Sequence, residues 1–299
     1  MYLSFADDDF EGTLVWLDSV ESRGGGTVYD RIQSIDERIS IQLAQGQIDE
    51  SAELFREMNG LQRNRIDWSQ MNRSRLADSL FMELDLEFER APLTGDFSKM
   101  RTAFDAYTAE LDKADIPDDA HGPYNWIAML ASFLGETEKA LEYRALHNAY
   151  HQREGDDVEA FGRIHDAIVE AKTGGDIDFA LAEIQAGAEN IGCYSEGCWQ
   201  NVMGEIEESR GNREKAMEHY MAYTDGFRLF KLRMDEGTIA TTNFRLGALN
   251  EELGNLDEAI RRYTYFADRW NDADADLQPQ VAEARRRIGV LLDRKAQEN

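Results

Sequence analysis

Three groupings of side chains in this sequence have the types and spacing for chemistry. Asp272, Asp274 and Asp276 alternate with alanine, and Glu283 stands at the twelfth position counted from Asp272. Carboxylates at the first, third, fifth and twelfth positions could wrap a calcium ion. Leu277, however, occupies the place where such a loop needs glycine for its bend, and Pro279 stiffens the residues after it. The favoured reading is an acidic turn that caps the last helix. His147 and His151 lie four apart on an expected helix and could chelate a metal, but no third ligand stands at useful spacing, so a helix-surface pair is expected. His165 and His219 sit singly on other helices. Cys193 and Cys198 are the only cysteines, five apart on a glycine-containing segment. The pair could close a short disulfide or act as a redox switch, but the spacing is neither a C-x-x-C redox motif nor half of a zinc site, so reduced, packing thiols are the simpler expectation.

Nothing else approaches a catalytic constellation. Gly24, Gly25 and Gly26 follow no strand, and there is no nucleophile elbow or zinc-protease pattern. The chain has 59 acidic and 32 basic residues, a formal net charge of −27. So acidic a surface repels nucleic acid and suits either plain solvation or a basic partner. The longest uncharged run, from Ala120 to Gly135, has 16 residues, fewer than the roughly 20 apolar residues a bilayer span requires. Residues 1 to 22 carry Asp7, Asp8, Asp9 and Glu11 before any basic residue, the reverse of a secretory leader. A cytoplasmic protein without a membrane segment, metal or cofactor is expected.

The elements that would position these residues come from a repeat. Gly46, Gly95, Gly135, Gly175, Gly211 and Gly254 are spaced by 49, 40, 40, 36 and 43 residues, the interval of a helical solenoid. Five residues after each glycine stand Ser51, Met100, Ala140, Ala180, Ala216 and Ala259. Glycine suits the left-handed residue that closes one helix, the acidic and amide residues after it suit the start of the next, and a slim side chain suits the crossing of the two. Nine residues after the glycine, Phe55, Phe104, Ile184, Tyr220 and Tyr263 are large and apolar or aromatic, with Arg144 the exception. Seven before it stand Ile39, Phe88, Ala128, Ile168, Gly204 and Gly247, and the two glycines predict close helix approach.

This pattern resembles the tetratricopeptide repeat family, best over 243–270, where Leu246-Gly247, Gly254, Ala259, Tyr263 and Phe266 keep the motif. Met203-Gly204, Gly211, Ala216, Tyr220 and Tyr223 come next, while the stretches around Gly46 and Gly95 are degenerate and the closing proline is absent throughout. The resemblance implies an all-α fold, an α-solenoid of about six such helix pairs over 28–277. It is preceded by an N-terminal helix and glycine joint over 1–27 and followed by a capping helix over 278–299. Helices are expected over 8–20, 28–45, 49–58, 72–90, 96–113, 123–134, 136–153, 157–173, 176–189, 197–210, 212–225, 237–253, 255–270 and 279–296. The first of these should turn Phe10, Leu14, Leu17 and Trp16 inward, and the last Val281, Ala284, Ile288 and Leu291.

In such an array the first helices line the inner surface and their unpacked side chains meet the partner. Alignment on the glycines puts Asn125, Met129 and Ser132 there, then His165, Val169 and Lys172, then Asn201, Glu205 and Glu208, then Phe244 and Glu251. Chaperone-binding members of the family grip a terminal carboxylate with lysine and asparagine. Only Asn201 matches such a position, so that mode is not expected here. The inventory suits an extended peptide or helix with basic and apolar groups. A non-catalytic scaffold is the first expectation. The alternative is a sensor or regulatory module, since 265–288 resembles the ends of repeat regions attached to bacterial signalling kinases and regulators. An enzyme or a calcium-binding protein is more remote.

Overall fold

The computed structural model describes residues 10–22, 27–63, 80, 83–84, 87–88, 90–92, 94–113, 124–154, 160–190, 198–225 and 235–298. Every element among them is helical: α1 (Phe10–Ser22), α2 (Val28–Ala44), α3 (Ile48–Arg63), α4 (Ser98–Leu111), α5 (Tyr124–Phe133), α6 (Thr137–Glu154), α7 (Ala160–Lys172), α8 (Ile177–Asn190), α9 (Gln200–Ser209), α10 (Arg213–Asp225), α11 (Asp235–Glu252), α12 (Leu256–Arg269) and α13 (Gln278–Glu298). Helical residues also precede Gly95 between 80 and 94. The glycine triplet, Cys193 and most of the helix expected over 72–90 lie outside the described residues.

The hairpins form because one backbone device recurs. Gly46, Gly95, Gly135, Gly174, Gly211 and Gly254 all take positive φ, between 73° and 88°. In five of these turns the residue after the glycine donates its N–H to the carbonyl five positions earlier: Gln47 to Gln42, Glu136 to Ala131, Gly175 to Glu170, Asn212 to Glu207 and Asn255 to Asn250. This is the Schellman closure, which satisfies a carbonyl left over at the helix end. At Gly95 the hydroxyl of Thr94 takes the Asp96 N–H instead. The following helices begin with acidic residues, among them Asp49, Glu138, Asp178, Glu214 and Asp257, which the amino-terminal end of a helix dipole favours.

The fourth turn departs from expectation. Its left-handed residue is Gly174 rather than Gly175, and Gly175 is an inserted position whose N–H makes the closing bond. Asp176 then caps α8 by accepting from the Phe179 N–H at 3.1 Å. The insertion leaves the crossing residue in place. Ser51, Met100, Ala140, Ala180, Ala216 and Ala259 are all fully buried, and so are Phe55, Phe104, Ile184, Tyr220 and Tyr263 within a few per cent. Helices α2 and α3, α5 and α6, α7 and α8, and α9 and α10 pack as adjacent pairs, and α5 also packs on α7. At Gly204 a Cβ would stand 2.5 Å from the Tyr220 ring, so only glycine allows α9 and α10 this approach.

The chain divides into two compact units, one of residues 1–71, 231–241 and 263–299, the other of 72–230 and 242–262. In the first, Leu17, Ile39, Phe55, Phe266, Trp270, Val281, Ala284 and Leu291 are buried. Trp16, expected inward, is 42% exposed, because Leu17 carries the inward direction of α1 and its neighbour points about 100° away. The Gly46 turn rests on the segment after α12. A Cβ on Gly46 would meet Ala273 at 2.7 Å and the Trp270 ring at 3.0 Å, and the Gly46 carbonyl accepts from the Asp274 N–H at 3.1 Å. In the second unit one apolar core runs from Leu84 to Ile206, with a further cluster of Ala216, Tyr220, Leu246 and Leu249. Arg262, 2% exposed, ties α10, α11 and α12 together through Asp225, Thr224, Asn243 and Glu258.

Gly46 and Gly135 have the same φ of 73°, but a Cβ on Gly135 meets nothing within 4 Å. Gly135→Ala should therefore cost only the left-handed penalty, about 1–2 kcal/mol, and Gly46→Ala about 1–3 kcal/mol more from overpacking. Chemical denaturation of the two variants checks this, and equal losses would remove the close packing at Gly46.

Candidate functional site

The residues expected to meet a partner fall on the first helices of the second unit, and the structure sorts them into two kinds. Met129, Ser132 and Val169 are buried, at 3%, 6% and 0% exposure. They are packing residues: α5 is covered by both α6 and α7, and the Ser132 hydroxyl turns back onto the Met129 carbonyl at 2.6 Å. Asn125, His165, Lys172, Asn201, Glu208, Phe244 and Glu251 are half-buried, and Glu205 is exposed. Asn125 accepts from the Trp126 N–H at 2.8 Å.

Four successive first helices contribute to one row of contacts. Lys172, at the end of α7, places Nζ 4.0 Å above the centre of the Phe133 ring on α5. The same Nζ lies 3.9 Å from a Glu205 carboxylate oxygen on α9. One turn further along α9, Glu208 accepts from Arg245 Nε of α11 at 2.8 Å and from the Tyr220 hydroxyl of α10 at 3.0 Å. Two turns before Lys172, the His165 ring meets Trp199 edge to face, with centroids 5.8 Å apart. Phe133 stands in turn against Phe88, which also touches Trp126. The face thus combines an aromatic patch with two cations and two carboxylates.

Desolvation governs its electrostatics. Glu205 keeps 47% of its side-chain surface, yet protein surrounds it closely enough that burial pushes its carboxyl up. Burial likewise lowers Lys172, against the opposing pull of Glu205. At 3.9 Å neither group makes the hydrogen bond that would compensate. His165 is held at about 4 by burial and is therefore neutral near pH 7. Its Nδ1 is buried without a hydrogen-bond partner.

Phe133 and Trp199 are not among the expected site residues. Phe133 stands two residues before the Gly135 turn, a position that alignment on the glycines does not select. Trp199 takes φ of 64° just ahead of α9, a left-handed conformation that costs a bulky residue energy and that no sequence spacing announces.

The other groupings with chemical potential have structural partners. Asp274 accepts from the Asp49 N–H at 2.9 Å, so it caps α3 rather than the last helix. Glu283 bonds both Arg286 and Arg287, which lower its carboxyl to about 2. Among the described residues no three His, Cys, Asp or Glu side chains are arranged to hold a metal. His147 is buried at 2% exposure, not on the helix surface, and the His151 side chain lies outside the described residues. Cys198 is a half-buried thiol. Among the described residues no helix is long and apolar enough to cross a membrane. No protein-family model and no curated protein matches this sequence.

Arg144, the exception to the aromatic pattern, reaches Glu170 at 2.5 Å and lies 3.8 Å from Asp166, both on α7. Burial nevertheless raises Asp166 to about 6. A carboxyl whose folded value exceeds its unfolded value lends stability below the unfolded value and loses it as pH rises through the folded one. The contribution of Asp166 to stability should decline between about pH 4 and pH 6, by at most about 3 kcal/mol. Asp166→Asn should flatten that decline in denaturation curves taken across the range, and an unchanged slope would assign it to other groups.

Proposed function

We propose that this protein is a non-catalytic interaction scaffold built from tetratricopeptide-like helix pairs. Its first helices form the inner, concave surface of the second unit, and that surface holds a peptide or helix segment carrying basic and apolar groups. The observation that carries this reading is the row from Phe133 through Lys172 and Glu205 to Glu208 and Arg245, drawn from four successive first helices. A surface reachable by water but enclosed by protein suits a ligand that replaces the water, and Glu205 is in that condition. The aromatic side chains beside it supply apolar contact area. The net charge of −27 favours a basic partner and opposes nucleic acid. The two carboxylates differ in role. Glu208 is committed to Arg245 and Tyr220 by hydrogen bonds, whereas Glu205 has a long contact to Lys172 and a more distant attraction to Arg245, and is the acid available to a guest.

Selection of random peptides on the purified protein tests the proposal. Enriched sequences should combine arginine or lysine with apolar residues, and Glu205→Lys should weaken them at least about tenfold, the equivalent of one lost charge contact in an enclosed site. Thermal melting should stay close to wild type. Peptides that bind Glu205→Lys equally well would move the partner surface elsewhere.

A further inference from the structure

We propose that Phe133 and Glu205 form a cation subsite which Lys172 fills in the unliganded protein and which an arginine side chain of the bound peptide takes over. The proposal rests on the peptide-binding reading and names the chemistry that this face selects. A ring face and a carboxylate that both approach one ammonium are a recognition set for a cation. Lys172 satisfies it poorly. Its Nζ is well placed over Phe133 at 4.0 Å but stops 3.9 Å short of Glu205, beyond hydrogen-bond range. The pair is also unequal in access, with 25% of the Lys172 side chain exposed against 47% of Glu205, so the acid is the member a guest can reach. That Lys172 is lowered and Glu205 raised agrees, since their mutual attraction does not offset the loss of water around them.

An arginine has the advantages that lysine lacks here. Its planar guanidinium can donate two parallel hydrogen bonds to one carboxylate, lie flat on an aromatic ring, and leave water at smaller cost than an ammonium. Lys172 is the last residue of α7, attached by a flexible stem, and can swing into solvent without unwinding a turn. The lysine is then an internal competitor that keeps the subsite closed to weakly binding groups.

Two variants at one position should move binding in opposite directions. The probe is N-acetyl-arginine amide, with the citrulline amide as its neutral isostere, titrated into the 299-residue chain and read by NMR shifts at Phe133, residue 172 and Glu205. Lys172→Ala empties the subsite and should tighten the arginine amide about fivefold, the scale of a cation–ring contact. Lys172→Arg supplies a permanent occupant and should weaken it, and the citrulline amide should not bind in any case. Weaker or unchanged binding to Lys172→Ala, or citrulline binding as well as arginine, would overturn the subsite. If selected peptides bind the face while the amides do not discriminate, the scaffold reading stands and the subsite falls. If the amides behave as stated while no peptide is selected, the subsite stands and the scaffold reading falls.

Discussion

A left-handed glycine followed by a closing N–H to carbonyl bond sets the geometry of the hairpins in this protein. Once the chain is forced into that turn, the second helix returns along the first at a fixed offset. The residue five or six places on must then lie in the crossing. That is why Ser51, Ala140, Ala180, Ala216 and Ala259 are slim and fully buried, and why a large side chain one turn later fills the seam. The turn itself contributes little enthalpy. Its effect is to remove alternatives, since any other residue would add about 1–2 kcal/mol of strain at each bend. Packing supplies the remaining stability, as it does for most helices of this length.

Within that regular frame the charged groups divide by how completely they are bonded. Arg262 is as buried as any aliphatic residue, but its guanidinium meets carboxylates, a hydroxyl and an amide, so it acts as a structural tie. Lys172 and Glu205 are less buried and also less well bonded, and both lean toward their neutral forms. An incompletely compensated pair costs stability that a well-packed apolar pair would not. It lies at the junction of three first helices and beside a patch of partly open aromatic side chains, where the proposed peptide would recover that cost.

Much of the fold is legible in the sequence because glycine at a helix end has few substitutes. Five of the six turns fall on the expected residue. The fourth does not, because Gly174 and Gly175 are both permissive and only the hydrogen bond to Glu170 decides between them. The surface is less legible. A helix face can be assigned from spacing, but whether its side chains stay open depends on neighbours from other hairpins. Met129, Ser132 and Val169 share a face with Asn125 and Lys172 and are covered all the same. His147 stands among polar neighbours in the sequence and is buried for a similar reason. Phe133 and Trp199 escape detection because one sits at a helix end and the other adopts an unusual backbone conformation, and neither leaves a periodic trace.

The bond from the Asp49 N–H to Asp274, beside the Gly46 turn, joins residues separated by 225 positions, with all of the second unit encoded between them. A stack of hairpins linked only to nearest neighbours could consolidate progressively as it leaves the ribosome. Here α2 and α3 must wait for Trp270 and Asp274 to be synthesised before their shared turn is covered. Until then an apolar surface meant for the interior stands open, a period during which chaperones or self-association would compete with correct assembly.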